Sequence, residues 1–297
     1  MKTRDIAEML ILAALWGASF MFMRLAAPEF GPVVLIELRV ALAALCLIPV
    51  LWWRRGQIHL KGNWPALAIV GITNSALPFC LLAFATLYVT GGFASILNAT
   101  TPLWGAAIAW IWLGDRLSGS RVVGLLVGFC GVLLLVWNKL HFSAGGAALA
   151  VPAALLATSM YGFAANYTKQ RLTGVNSLAV ATGSLICAAL LLLPAAIALW
   201  PQHPVSARAW MAVIIMAIAS TGLAYILYFR LLARIGPAKV MTVTFLIPLF
   251  GVLWGALFLN EQPTLNMLAG SLVILLGTAL AAGLVSLPGK LATARSG

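Results

Sequence analysis

Charge is what this sequence has least of. Asp, Glu, Lys and Arg together make up 8% of its 297 residues, where a soluble domain carries roughly 25%. A water-soluble globular fold is therefore excluded. The six acidic residues (Asp5, Glu8, Glu29, Glu37, Asp115 and Glu261) are scattered, and His59, His141 and His203 fall at the ends of apolar runs or between them. Metal-ligand spacings, a Ser/His/Asp set and a phosphate loop are absent as well. The chain does not read as an enzyme, and no metal or cofactor is expected. Cysteine is sparse: Cys46, Cys80, Cys130 and Cys187 lie inside apolar runs with no CxxC spacing, which reads as free buried thiols packing as small hydrophobes. A net charge of +12 raises the question of nucleic acid. The basic residues come in ones and twos between apolar runs and form no stripe, so no nucleic-acid partner is expected.

What the chain has in excess is apolar length, 63% hydrophobic with a mean hydropathy of +1.06. A helix needs about 20 apolar residues to cross the hydrocarbon core. Ten stretches qualify: 6–24, 33–53, 65–87, 92–113, 121–138, 148–168, 177–199, 209–229, 238–259 and 266–286. The turns between them are short and marked by Gly, Pro and Asn. Asp5 and Glu8 ahead of the first run, and Arg24 after it, argue against a cleaved signal peptide. With the N-terminus in the cytoplasm, the inner segments hold Lys2, Arg4, Arg54, Arg55, Lys61, Arg116, Arg121, Lys169, Arg171, Arg230, Arg234, Lys239, Lys290 and Arg295. The outer segments hold only Arg24, Lys139 and Arg208. The positive-inside rule then predicts both termini in the cytoplasm.

The chain also says one thing twice. "TPLWGAAIAWIWLGDRL" at 101–117 is echoed by "IPLFGVLWGALFLNEQP" at 247–263, 146 positions on. At that spacing Pro102 meets Pro248, Gly105 meets Gly251, Asp115 meets Glu261, Asn74–Ser75 meets Ser220–Thr221 and Phe79 meets Tyr225. One residue shorter, Trp16–Gly17 meets Tyr161–Gly162. The expected fold is an all-α polytopic membrane protein, with ten transmembrane helices in two five-helix repeats, 1–140 and 141–297, around a central cavity. An odd number of spans per repeat inverts the second copy. Arg116 at an inner helix end accordingly becomes Gln262 at an outer one. Inverted repeats point to alternating access.

At this point the chain resembles a known family. "LWGASF" in the first span, "P…LGDRL…G…G" across the fourth and fifth, and "P…LNEQPTLNMLAGSLVILLG" across the last two look like the EamA-type ten-helix permeases of the drug/metabolite transporter superfamily. Within it the sequence looks most like bacterial inner-membrane aromatic amino acid exporters. The resemblance implies a cavity lined by spans one, three, four, six, eight and nine, with spans five and ten bracing the outside.

Polar residues in mid-span should face a bundle interior or a wet cavity. Trp16, Ser19 and Phe20 share a face of span one, and span three offers Asn74, Ser75 and Phe79. Asn98 and Thr101 lie on span four, Ser159 and Phe163 on span six. Ser220, Thr221, Tyr225 and Tyr228 complete the candidate substrate site from span eight. Each Ser or Thr also has an ordinary reading as an interhelical packing residue. Pro78, Pro102 and Pro248 lie inside helical runs and are candidate hinges or structural kinks. Glu37 and Arg39 alone put charge inside a span; Arg39 either neutralises a substrate carboxylate or braces the bundle against backbone carbonyls. The leading expectation is an exporter of amino acids or similar small metabolites, working by facilitated diffusion. The alternatives are a proton-coupled exporter of drugs or other metabolites and, on one core cation, an organic-phosphate or nucleotide-sugar carrier. The expected partners are a small-molecule substrate and membrane lipid, and a monomer is compatible with the pattern.

Overall fold

The computed structural model describes residues 3–53, 60–137 and 146–285. Every regular element among them is helical. Nine apolar stretches follow in order: α1 (Thr3–Trp53), α2 (Gly62–Ala85), α3 (Gly91–Leu113), α4 (Gly119–Val136), α5 (Gly146–Arg171), α6 (Ser177–Ala198), α7 (Ala207–Ile235), α8 (Val243–Leu259) and α9 (Leu265–Ala281). The first seven are long and apolar enough to cross a bilayer, and α8 and α9 are equally apolar at 17 residues each. The protein is a multi-pass membrane protein. His59, His141, Lys139, Lys290 and Arg295 lie outside the described residues.

The first two expected spans are not separated by a loop. They run together as one 51-residue stretch whose only non-helical backbone is at Gly31, with φ 72° and ψ 156°. A straight helix would hold Met23 and Arg39 about 24 Å apart, yet Arg39 Nη1 lies 4.0 Å from Met23 Sδ. The chain therefore doubles back at Gly31, where a side chain would strain the positive φ. We refer to the two legs of α1.

Local geometry repeats at the spacing of the sequence echo. A π-helical turn at Ile72–Ala76 in α2 is matched by one at Ile218–Leu223 in α7. Gly114 (φ 68°) closes α3 in the left-handed conformation, and Asn260 (φ 54°), 146 positions on, closes α8 likewise. The Asp115 N–H then reaches back to the Ala109 carbonyl at 3.3 Å and the Glu261 N–H to that of Gly255 at 3.1 Å, bonds that satisfy otherwise orphaned carbonyls.

Close helix approaches repeat as well. A Cβ on Gly17 would meet the Gly251 nitrogen at 2.8 Å, and one on Gly162 would meet the Gly105 nitrogen at 2.7 Å. These contacts bring α1 onto α8 and α5 onto α3. Asn166 stitches the second pair by donating to the Gly105 carbonyl at 3.0 Å. Gly124, Gly128 and Gly131 of α4 press against Gly277 and Ile274 of α9, so small residues serve packing within the bundle. The four cysteines form no disulfide, and they are less enclosed than expected: Cys130 is exposed and the others are half-buried.

Candidate functional site

A cavity of about 520 Å³ lies between the two legs of α1 and helices α2, α3, α5, α6, α7 and α8. In mid-bundle its wall holds Trp16, Ser19, Phe20, Arg39, Asn74 and Phe79, facing Asn98, Thr101, Ser220, Thr221, Tyr225 and Tyr228. From there it runs past Tyr161 and Thr168 to Leu172, Val175 and Ser177 at the α5–α6 turn, and past Leu232 to Met241 before α8. Ser177 is exposed, so the cavity reaches one end of the bundle. We call this the near end, because the start of α1 is bound there. Glu8 pairs with Arg4 (3.0 Å), Arg230 (3.0 Å) and Arg234, and Arg234 also pairs with Asp5 at 3.3 Å, tying α1 to the end of α7.

The far end is held by polar links. Glu261, just past α8, accepts the main-chain N–H of Gly91 at 2.9 Å and of Gly92 at 3.2 Å. A carboxylate there satisfies orphan donors of α3 and meets the positive end of its dipole. Glu29, at the bend of α1, accepts the Ser206 N–H at 2.6 Å and its hydroxyl at 2.7 Å. The main-chain bond first, then the hydroxyl, holds the Glu29 carboxyl below its ordinary value. Arg24 donates to the Thr86 carbonyl, and Phe30 meets Trp210 edge-on at 4.9 Å. Asp115, the counterpart of Glu261, is exposed, and its main-chain N–H bonds only within its own helix end.

Most candidate residues meet at the cavity, and three do not. Ser75 is fully buried beside it with its hydroxyl unpartnered. Ser159 donates to the Leu156 carbonyl of its own helix, and Phe163 stacks on Trp112 at 5.2 Å instead of facing inward. Phe163, like Asn166, packs toward α3. The prolines also differ from a mid-helix reading. Pro78 follows the π-turn of α2 and Pro102 the turn at Ala99–Thr100, each in the first turn of the next helical piece. At Pro102 the break before the helix means that no helical hydrogen bond is lost. Only Pro248 sits inside a continuous helix.

Sequence reasoning missed Tyr161, Thr168, Ser184 and Thr244 in the lining. Two of these carried a signal: Tyr161 is the repeat mate of Trp16, and Thr244 of Asn98. Arg39 is buried in the wall. Its Nε donates to Thr221 Oγ1 at 3.0 Å, and its guanidinium carbon lies 3.8 Å from the Phe79 ring centroid. Two buried hydroxyls of the lining, on Ser19 and Ser220, have no partner among the described residues.

Comparison with known proteins adds three findings. The model of the EamA-like transporter family matches residues 6–137 and again 148–283. The chain is 26% identical over 280 residues to the uncharacterized transporter YvbV of Bacillus subtilis (strain 168), covering 92% of this chain and 90% of that protein. It is 23% identical over 276 residues to a probable terminal-alkyne amino-acid exporter of Streptantibioticus cattleyicolor, covering 92% and 91%. Among solved structures, one crystal structure aligns with a TM-score of 0.66 at 19% identity over 96% of this chain and 99% of that chain, a likeness of fold.

Proposed function

The chain belongs to the EamA-like transporter family, and from that premise we propose that it exports amino acids or similar small metabolites across the bacterial inner membrane by alternating access. The observation that carries this reading is the cavity, bound shut at the far end and reaching the near end. Ten spans in two inverted five-helix repeats, 1–140 and 141–297, account for it: the legs of α1 are spans one and two, and the near end is cytoplasmic.

Inversion gives each closing contact a counterpart at the other end. Glu261 holds the far end by capping α3 at Gly91 and Gly92, which match Pro237 and Ala238 before α8. Asp115 is the inverted mate of Glu261. In the outward-facing state it meets the main chain at Ala238 and Lys239 and the ammonium of Lys239, while Glu261 lets go. The helices flex at the breaks beside Pro78 and Pro102 and, within α8, at Pro248. The match of π-turns, left-handed caps and glycine contacts at one spacing supports this exchange.

The lining suits an amino-acid-sized solute with an aromatic or apolar part, since Trp16, Phe79, Tyr161 and Tyr228 stand in it. Among the described lining residues there is no Asp, Glu or His, which favours movement down the solute's own gradient over obligate proton exchange. Counterflow in proteoliposomes, with labelled amino acids, nucleotides and sugars, tests the reading. Exchange of an amino acid is expected. Uphill accumulation driven by a pH gradient at clamped membrane potential would replace the facilitator with a proton-coupled exporter.

A further inference from the structure

We infer that Arg39 is the anchor for a carboxylate on the transported solute, so that this carboxylate, and not an amino group, is what the cavity requires. The inference rests on the transporter reading only for its consequence in transport; the binding site stands on its own geometry.

Arg39 is 4% exposed and lies in the cavity wall. A guanidinium has five N–H donors and no acceptor. One donor, on Nε, is spent on the Thr221 hydroxyl at 3.0 Å. That hydroxyl is fixed in turn, because it donates to the Met216 carbonyl at 3.2 Å across the π-turn of α7. The Nη1 side meets only the Met23 sulfur at 4.0 Å, a weak acceptor. Phe79 lies under the guanidinium plane at 3.8 Å. The group is thus held in orientation on one edge and one face, while its outer N–H edge has no oxygen partner among the described residues. Arg39 makes no ion pair among the described residues, where the ion pairs gather on Asp5 and Glu8 at the near end. Glu37, two positions earlier, is outside the lining and has its own unpartnered oxygen.

A brace would look different. A cation that ties helices together ends on carbonyls or a carboxylate, as Arg24 does on Thr86 and Arg234 on Glu8. Arg39 stands beside an accessible cavity with its positive charge uncompensated, and a buried unpaired charge is unfavourable until an anion meets it. A carboxylate matches the free edge with two parallel N–H···O bonds. Independently, Ser19 and Ser220 place two buried, unpartnered hydroxyls in the same lining, and Ser220 adjoins the Thr221 that orients Arg39. These groups complete an oxygen-recognising patch. The opposite requirement has no counterpart: the described lining offers no carboxylate to a substrate ammonium.

The test compares phenylalanine with its deaminated acid, 3-phenylpropionate, and its decarboxylated amine, phenethylamine, which share one aromatic body. Binding is read as the rise in Tm of the purified protein in detergent, and transport as counterflow in proteoliposomes. Both acids are expected to bind and exchange, with the amine at least tenfold weaker. Arg39→Gln is expected to weaken acid binding at least tenfold, and Arg39→Lys to keep part of it as a point charge without the planar fork. If Arg39→Gln does not fold, the acid-against-amine comparison on the native protein decides alone. Equal binding of amine and acid, no binding by any of the three, or unchanged acid binding in Arg39→Gln overturns the inference. Binding of the acids without exchange of any solute leaves the anchor standing and removes the transporter reading.

Discussion

Glu261 accepts the Gly91 main-chain N–H at 2.9 Å across 170 positions of sequence, whereas the side chain of Asp115, its mate in the other half, is exposed. Two equivalent carboxylates thus occupy opposite states in one conformation. Glu261→Ala should free the start of α3, at a cost of about 1.5–3 kcal/mol for bonds to a charged group, and raise far-end accessibility. Asp115→Asn should do the reverse and trap the near-open form. Accessibility of a cysteine at Tyr88 to a membrane-impermeant maleimide separates the two variants; equal labelling would remove the latch.

Gly17 and Gly162 cannot accept a side chain. An added Cβ would lie 2.7–2.8 Å from main-chain or Cβ atoms of Phe250 and Gly251, or 2.7 Å from the Gly105 nitrogen, and backbone cannot move aside cheaply. Gly17→Ala and Gly162→Ala should each destabilise by about 1–3 kcal/mol and reduce transport. Gly119 has nothing within 4 Å of an added Cβ, so Gly119→Ala should stay within about 0.5 kcal/mol of the parent. Thermal unfolding in detergent measures all three.

The Glu29 link to Ser206 should be acid-sensitive. Its folded carboxyl titrates below the ordinary value of 4.5, because the two Ser206 bonds favour the charged form. Stability from the link is therefore complete above that ordinary value and lost as pH falls through the lower folded one. The Tm difference between the parent and Glu29→Gln should be larger at pH 7 than at pH 3. A difference that grows on acidification would reverse the assignment.

Asn98 faces the cavity, while Ser75 is fully buried beside it. Asn98→Trp should abolish counterflow and leave expression and monodispersity normal. Ser75→Trp instead overfills a packed site and should lower Tm, by about 1–3 kcal/mol of stability or more. Parent-like transport by Asn98→Trp would take Asn98 out of the pathway.

Single cysteines at Arg116 and Gln262, in a background lacking the native cysteines, should react differently with an impermeant maleimide on whole cells. Labelling is expected at 262 and not at 116. The opposite pattern would turn the molecule over in the membrane.

The apolar runs, their number of turns and the spacing of the echo are legible in the sequence because they are local. Hydropathy follows the solvent around each stretch, and a left-handed cap needs Gly114 or Asn260 wherever the fold is used. Even the π-turns fall at the positions where Asn74–Ser75 and Ser220–Thr221 correspond. Which face lines the cavity was legible for spans one, three, four and eight, and not for span six, whose Ser159 and Phe163 lie outside the lining. In lipid both faces of a helix are apolar, so periodicity carries little signal, and the mates Ser75 and Thr221 end up outside and inside the cavity wall. The meeting of Arg39 with Thr221 across 182 positions and the choice of Glu261 over Asp115 as the engaged carboxylate were decided only by tertiary structure. Asp115 and Glu261 stand at matched places in the echo, and only packing against Gly91 and Gly92 engages one of them.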